Sequence, residues 1–505
     1  MKKQCILKVS FFLILTCIIF MGLCIKIDKN IEKEIVLEDR DFLRAAAYYD
    51  LTGTPIDIGS NAEWATTAAG EPWCTGVGTW SDPYIIENVF INGQNSTDCI
   101  NIRNSNVYFI IRNCTLINAA KGNFGLEYAG IKLQNVGNGT LCNNTCSFNN
   151  QIGIILLRSS NNTIIDCIAN GNKDWGITIY WDSLSSNNNT VKECTANNNG
   201  IFGIHVYHSN YNRIIGNKIN GSNQGITMHG ITHNNTFKGN TITFPKYLGL
   251  ELGNGYDNKI IGNNISNTRD GFHMFSCYRN IITDNNIVNV NLTGIGLGTG
   301  AHNVLKGNYI EDAQWGMYLV ENNYTNIVNN NVTNGESGGI RFNAGYHSNF
   351  LSNTIQGSSD RAGLDLGGCY NTTITHNILN DNYRGIWVDY CDLTNIEDNR
   401  IKRNSKEGIF IEDGVNTFIL HNFIDKNDIG ISLEDCIDTL VSDNELYCNR
   451  ICIQEINCIG TVRQNNSCVS CPTGRISGFY VFSLLGFLVA ISLIITTRLK
   501  RKTLN

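Results

Sequence analysis

One phrase constrains this chain more than anything else in it. Glycine, an apolar residue, a variable residue and a second apolar residue begin at Gly130 and recur at Gly153, Gly176, Gly203 and Gly225, then onward to Gly385, Gly408 and Gly430, fourteen times in all. The intervals run from 22 to 27 residues. A period in that range marks stacked supersecondary units that cannot bury a hydrophobic face alone. No apolar segment inside a unit reaches the roughly ten residues a helix needs, so the units are built from short strands.

Each unit reads in three parts. In the glycine phrase, the residues one and three places after glycine are apolar in all fourteen coils, as in Ile131/Leu133, Ile204/Val206 and Ile386/Val388. Alternation of that kind puts them on one side of a strand. A second strand follows an asparagine, as in Asn212-Arg213-Ile214-Ile215-Gly216, and a third starts at another, as in Asn217-Lys218-Ile219 and Asn240-Thr241-Ile242. Three strands per coil predict an all-β parallel β-helix of about 15 coils, a rod of roughly 70 Å at the ordinary strand spacing. Asparagine tolerates left-handed turns and bonds its own backbone. Stacked from coil to coil, its amides form ladders. Cys167 and Cys194 sit in such a column, and Cys369 and Cys391 share another on adjacent coils, where buried small residues are expected rather than a cross-link.

The regions outside the array have their own character. Lys2, Lys3 and Lys8 precede an apolar run to about Ile25, which reads as a signal peptide or retained N-terminal anchor over 1–25. A charged linker follows over 26–50. Residues 51–95 lack the phrase but carry Trp64, Trp73 and Trp80, and form the expected N-terminal cap and first coil over the open edge of the array at 96–460. Gly478 to Thr497 is uncharged and long enough to span a bilayer. The basic tail at 498–505, with Arg498, Lys500, Arg501 and Lys502, would lie in the cytoplasm and leave the array outside a plasma membrane crossed once, or twice if the first segment is kept. Of the 19 cysteines, Cys436, Cys448, Cys452, Cys458, Cys468 and Cys471 crowd the end of the array and a stem at 461–477. An exported chain permits disulfides there, and no nearby histidine supports zinc. Sequons such as Asn95-Ser96-Thr97 and Asn371-Thr372-Thr373 would be open to glycosylation in an exported chain. A net charge of −6 with no basic block inside the array argues against nucleic acid as a partner.

If the residues one and three places after glycine face in, those two and four places after it face out, and there the sequence varies. His205, His229, Glu251 and His273 fall on four successive coils. His205 and Glu251 are two coils apart, about 10 Å, too far for one zinc to bridge. The group is a candidate for substrate binding, proton transfer or weak metal binding, against the plainer reading of imidazoles on a solvated sheet. Tyr318, Arg341, Asp365, Trp387, Asp389 and Glu412 form a second group. An indole stacks on a pyranose, while carboxylates and a guanidinium bond hydroxyls or uronates. Asp365 and Asp389 also suit Ca²⁺, or the acid/base pair of a glycosidase. In a β-elimination Arg341 would act on the uronate, making Arg341, Asp365 and Asp389 the candidate catalytic set. An ordinary polar sheet face is again the plainer alternative.

The G-I-x-[LIV] phrase with N-x-I-I-x-x-N-x-I, repeated from Gly130 to about Leu446, resembles the right-handed parallel β-helix repeat of the pectate-lyase-like superfamily, and within it the NosD-type and carbohydrate-binding/sugar-hydrolase repeats. Trp80-Ser81-Asp82-Pro83-Tyr84-Ile85-Ile86-Glu87 resembles the opening coil of surface proteins with this repeat. The resemblance implies a right-handed helix, a carbohydrate partner and, for the NosD type, copper delivery. The GHG and paired-aspartate motifs of polygalacturonases and the DPHD motif of alginate epimerases are absent. With five methionines in the chain, Met228, His229, His273 and Met274 come closest to a copper set. The sequence reading is a membrane-anchored surface protein that binds glycans on an outward sheet face, with a polysaccharide lyase or glycosidase as the alternative and a structural spacer as the third.

Overall fold

Each glycine phrase forms a strand that lies in parallel on the next: Phe202–Tyr207 on Gln224–His229, then Leu248–Gly253, then Asp270–Phe275. Register holds from coil to coil, so Ile204, Ile226, Leu250 and Phe272 form one buried column. The second strands, such as Arg213–Ile215 and Thr236–Lys238, and the third, such as Lys218–Asn220 and Thr241–Thr243, stack in the same way. The computed structural model describes residues 49–122, 127–180 and 184–471. They form a right-handed parallel β-solenoid of about 16 turns. All fourteen pairs of residues one and three places after glycine are buried, as alternation requires. Each buried Ile, Leu or Val contributes roughly 1.5–3 kcal/mol of transfer free energy.

The glycine itself departs from strict alternation. A Cβ on Gly225 would fall 2.4 Å from the Gly249 carbonyl oxygen and 2.4 Å from Ile242 Cγ2, a core side chain of the third sheet. Glycine and its successor therefore both face the interior. The residue before glycine moves to the outer face, beside the residue two places after it.

The two tasks expected of asparagine fall on neighbouring positions. Asn217, Asn240, Asn263, Asn285 and Asn308 begin a ladder that runs to Asn444 and ends at Asn466. Each side-chain carbonyl accepts the main-chain N–H of the residue one coil back, at 2.8–3.1 Å along the run. The left-handed turn is made by the residue just before, as at Gly216, Gly239, Gly262, Asp284, Gly307 and Asn329.

Both ends of the array are closed. The one helix among the described residues, Asn61–Gly70, was not expected from the sequence. Its Glu63 carboxylate accepts the Gly59 N–H at 2.8 Å, and its Trp64 is fully buried, stacks on Tyr84 at 5.2 Å and donates from Nε1 to Ser105 Oγ. At the far end, disulfides join Cys448 to Cys471 and Cys452 to Cys468. Cys167, Cys194, Cys369 and Cys391 are buried free thiols, and the Cys369 N–H points at Cys391 Sγ at 3.1 Å.

Two expected boundaries shift. Tyr49–Asp50, the end of the expected linker, already pairs with Val89 and Phe90. Val462–Gln464 and Ser467–Val469 continue the strand columns into the expected stem. Among the described residues no helix is long and apolar enough to cross a membrane. The expected segments 1–25, 478–497 and 498–505, and the linker up to residue 48, lie outside the described residues.

Candidate functional site

Because the residue before each glycine also faces out, the outer face of the glycine sheet carries three columns instead of two. That adds Trp315, Arg384 and Glu407 to the second cluster, and Arg361, two places before Gly363, joins them. Arg341 Nη1 lies 4.0 Å and Arg361 Nη1 3.6 Å from the same oxygen, Asp365 Oδ2. These are ion-pair distances without a hydrogen bond, and Asp365 Oδ2 has no hydrogen-bond partner among the described residues. Burial pushes the Asp365 carboxyl above its ordinary range, against the pull of Arg361, Arg341 and Arg384. Asp389 is raised too, by burial and then by the charges of Glu412 and Asp413. Glu412 is its direct neighbour one coil on.

Trp387 is differently employed from the sugar plate expected of it. Arg361 stands over its ring at 4.7 Å and Arg384 at 4.6 Å, so the indole supports guanidiniums. Trp315 and Tyr318 do the same for Arg341, at 5.4 and 5.9 Å. Arg384 is neutralised by a buried ion pair with Glu407 at 2.7 Å. Arg341 and Arg361 share one carboxylate at ion-pair distance, so both keep aromatic-backed hydrogen-bond donors that Asp365 does not fill. Trp387 Nε1 and Asp389 Oδ1 are buried without a hydrogen-bond partner among the described residues. Buried polar atoms seldom stay unpaired, and such atoms on an outer face are where a ligand would bond.

The first cluster splits into a sealed part and an open part. His205 is buried between Phe202, at 4.6 Å between ring centroids, and Trp175 at 5.5 Å. Burial and the neighbouring His229 lower its pKa to about 3, so this imidazole is neutral and part of the packing. The open part is centred on Glu251, whose Oε2 lies 3.2 Å from His229 Nε2 and whose Oε1 lies 3.8 Å from His273 Nδ1. The His229 contact is off the hydrogen-bond line, which makes it an ion-pair approach. Burial opposes ionisation of Glu251, but the two histidines outweigh it and bring its pKa down to about 2. Glu251 in turn raises the pKa of His273, against burial. Glu251 and His273 line a groove of about 530 Å³ with Arg269, Asp270, Gly296, Gly298 and Tyr318. The groove thus runs between the clusters. Asp270 precedes Gly271 in the same third column. The signal for these residues was present in the columns, but strict alternation assigned the third one to the core.

No group of three or more His, Cys, Asp or Glu among the described residues is arranged to hold a metal ion. Asp365, half of the expected calcium pair with Asp389, faces guanidiniums instead.

The profile of the right handed beta helix region matches residues 74–242 and 248–392. That of the periplasmic copper-binding protein NosD matches 181–311 and 325–466. No curated protein matches the chain. Similar solved structures include a mutant of the periplasmic alginate epimerase AlgG, at 13% identity over 63% of this chain and 78% of that one, with a TM-score of 0.37. PfbA, a surface adhesin of Streptococcus pneumoniae, aligns at 12% identity over 63% and 87%, with a TM-score of 0.39. The N-terminal fragment of bacteriophage Phi29 gene product 12 aligns at 12% identity over 81% of this chain and 89% of that one, with a TM-score of 0.41. With its profile matched over more than half of the chain, this protein belongs to the right-handed β-helix family.

Proposed function

We propose that the protein binds carbohydrate on the outer face of its glycine sheet, and that the sugars it prefers are acidic. The observation that carries this is the pair Arg341 and Arg361, both backed by aromatic rings and sharing one carboxylate at ion-pair distance only. Guanidiniums held flat and incompletely satisfied suit a uronate carboxylate, which they bond in a bidentate way. Tyr318, Trp387, Asp389 and Glu412 frame the patch and supply further partners for hydroxyls.

The lyase or glycosidase alternative has weaker support. Asp365 and Asp389 are both shifted upward, whereas an acid/base couple needs environments that push the two groups apart. Copper, named by the second matching family, also finds a poor set here. Met228 and Met274 are fully buried in the core, on the opposite side of the strand from His229 and His273. The proposal includes a surface location, with 478–497 as the anchor. Protease shaving of intact cells that leaves the array uncut would count against it.

Isothermal titration with oligouronates, and with neutral oligosaccharides of equal length, tests the function. Arg361→Ala and Arg341→Ala are each expected to weaken oligouronate binding about 10- to 100-fold, since a charge-assisted bond contributes roughly 1.5–3 kcal/mol. Equal affinity for neutral and acidic sugars removes the case for the arginines, and no binding to any sugar leaves the spacer reading. An unsaturated, ultraviolet-absorbing product would establish a lyase.

A further inference from the structure

Gly296 and Gly298 differ from the other glycines of their coil. A Cβ on Gly294, which starts the phrase, would lie 2.5 Å from both the Gly316 carbonyl oxygen and Ile310 Cγ2. The fold demands glycine there. A Cβ on Gly296 would meet nothing nearer than 3.6 Å and one on Gly298 nothing nearer than 3.5 Å, ordinary contact distances, and neither residue has a positive φ. Other glycines of the outer columns are covered: the Phe275 ring lies where a Gly253 side chain would go, at 2.3 Å, and Asn343 Oδ1 approaches the Gly367 position to 3.0 Å. Glycine weakens a strand interior, and where packing does not require it, it often marks close approach of a ligand.

What these two glycines produce is the floor of the 530 Å³ groove. Gly296 pairs in register with His273 on one side and Tyr318 on the other. His273 and Tyr318 therefore face each other across one empty rung, about 10 Å apart in the backbone, a gap that admits one pyranose ring. Glu251 supplies acceptors, and Arg269 supplies donors, beside Asp270. The rungs continue from Tyr318 to Arg341 and on to Asp365, in register. Arg341 is two coil rises from the notch, about 10 Å, and Asp365 three, about 14 Å.

We propose that this notch is a second saccharide subsite, occupied by the same acidic glycan whose neighbouring residues lie on Arg341 and Arg361, so that the site is matched to about four sugar units running along the helix axis. This rests on the carbohydrate reading above. The dyad of subsites also fixes the direction of the bound chain, parallel to the stacking of the coils and across the strands.

The test is isothermal titration of the full-length chain with oligogalacturonates and oligomannuronates of two to six units, together with the double variant Gly296→Val, Gly298→Val and the single variant His273→Ala. For the unaltered protein, affinity is expected to rise at least tenfold between two and four units and then level off. The valine variant is expected to keep the unfolding temperature, and both variants to keep the affinity for two units while losing that tenfold gain. A length-independent affinity in the unaltered protein overturns the proposal, as does a valine variant that binds four units as well as the parent. A valine variant that fails to fold also overturns it, because the fold would then need these glycines. Binding of two units that depends on Arg361, without length dependence, sinks the notch and leaves the carbohydrate reading standing. No binding of any oligouronate sinks both.

Discussion

Replacing Asn263 by alanine tests whether the asparagine ladder holds the solenoid together. Its side chain makes four bonds. Oδ1 accepts the Asn240 main-chain N–H at 3.0 Å and the Asn240 side-chain amide at 2.9 Å. Nδ2 donates to the Phe237 carbonyl at 3.1 Å and to Asn285 Oδ1 at 3.0 Å. Alanine removes all four, but the Asn263 main-chain N–H keeps its own bond to Asn285 Oδ1 at 2.9 Å. The lasting damage is one buried main-chain N–H, that of Asn240, left without a partner, because the Phe237 carbonyl keeps its place in the parallel ladder between Thr236–Lys238 and Lys259–Ile261. Such an orphan costs about 1–3 kcal/mol. With the lost amide bonds of the truncated side chain added at roughly 0.5–1.5 kcal/mol each, the loss is about 2–4 kcal/mol, a large share of a typical domain's stability. Asn263→Ser is expected to lose less, because Ser222 already serves as a rung in the parallel ladder at the other turn, its Oγ accepting the Asn199 main-chain N–H. Asn263→Asp is expected to lose at least as much as alanine, since it keeps the acceptor, loses both donors and brings a charge into the core. Urea unfolding followed by circular dichroism measures all three. A loss under 1 kcal/mol for alanine, or an aspartate variant more stable than the alanine one, would refute the account of the ladder as directional bonding.

Other consequences can be checked with simpler measurements. Gly225→Ala drives a Cβ to 2.4 Å from backbone and core atoms and is expected to cost about 1–3 kcal/mol, whereas Gly296→Ala is expected to be neutral or stabilising by about 0.5–1 kcal/mol; paired thermal melts decide. His205 has a folded pKa of about 3 against an ordinary 6.5, so its contribution is complete above 6.5 and is lost as pH falls toward 3. His273 works in the opposite sense, since its raised folded pKa favours the folded state at lower pH and that gain fades as pH rises. His205→Phe is therefore expected to flatten the fall in unfolding temperature below pH 6.5, and an unchanged slope would show that His205 is not its source. Cys167, Cys194, Cys369 and Cys391, all buried, are expected to resist alkylation in the native protein and to react after unfolding, as read by mass spectrometry.

Much of the frame was legible in the sequence. The period set the coil, the apolar pairs such as Ile204/Val206 set the inner face, and the asparagines set the turns, because each is a demand repeated by every coil. What escaped came from places where one coil's geometry overrides a simple rule. Strict alternation places the residue before glycine inside, but glycine occupies that space itself, and Trp315, Arg384 and Glu407 appear on the outer face as a result. Trp387 reads as a free aromatic plate until Arg384, three places before it on the same strand, and Arg361, from the coil before, are seen on its ring. The cap helix had local signals, with Ser60 before Asn61 and alanines at 62, 65, 68 and 69, yet these do not belong to the repeat and give no period to follow.

The same asymmetry bears on where function resides. A solenoid's stability is roughly a sum over coils and their neighbour contacts, so columns that every coil must satisfy are fixed by packing and have little freedom for chemistry. The outer columns are released from that demand, and their contents vary from Ile155 to His205 to Gly296. Within them, His205 and the Arg384–Glu407 pair are nonetheless buried and serve the packing of their own coils. Once those are set aside, Glu251, His273, Arg341 and Arg361 are among the ionisable groups left on the outer face, with Glu251 and His273 lining the open groove. A charge kept beside aromatic rings without a full set of hydrogen bonds adds little to stability. Its worth lies in what it can bond from outside, and that is why the acidic-glycan reading attaches to these four residues and leaves the rest of the sheet to the fold.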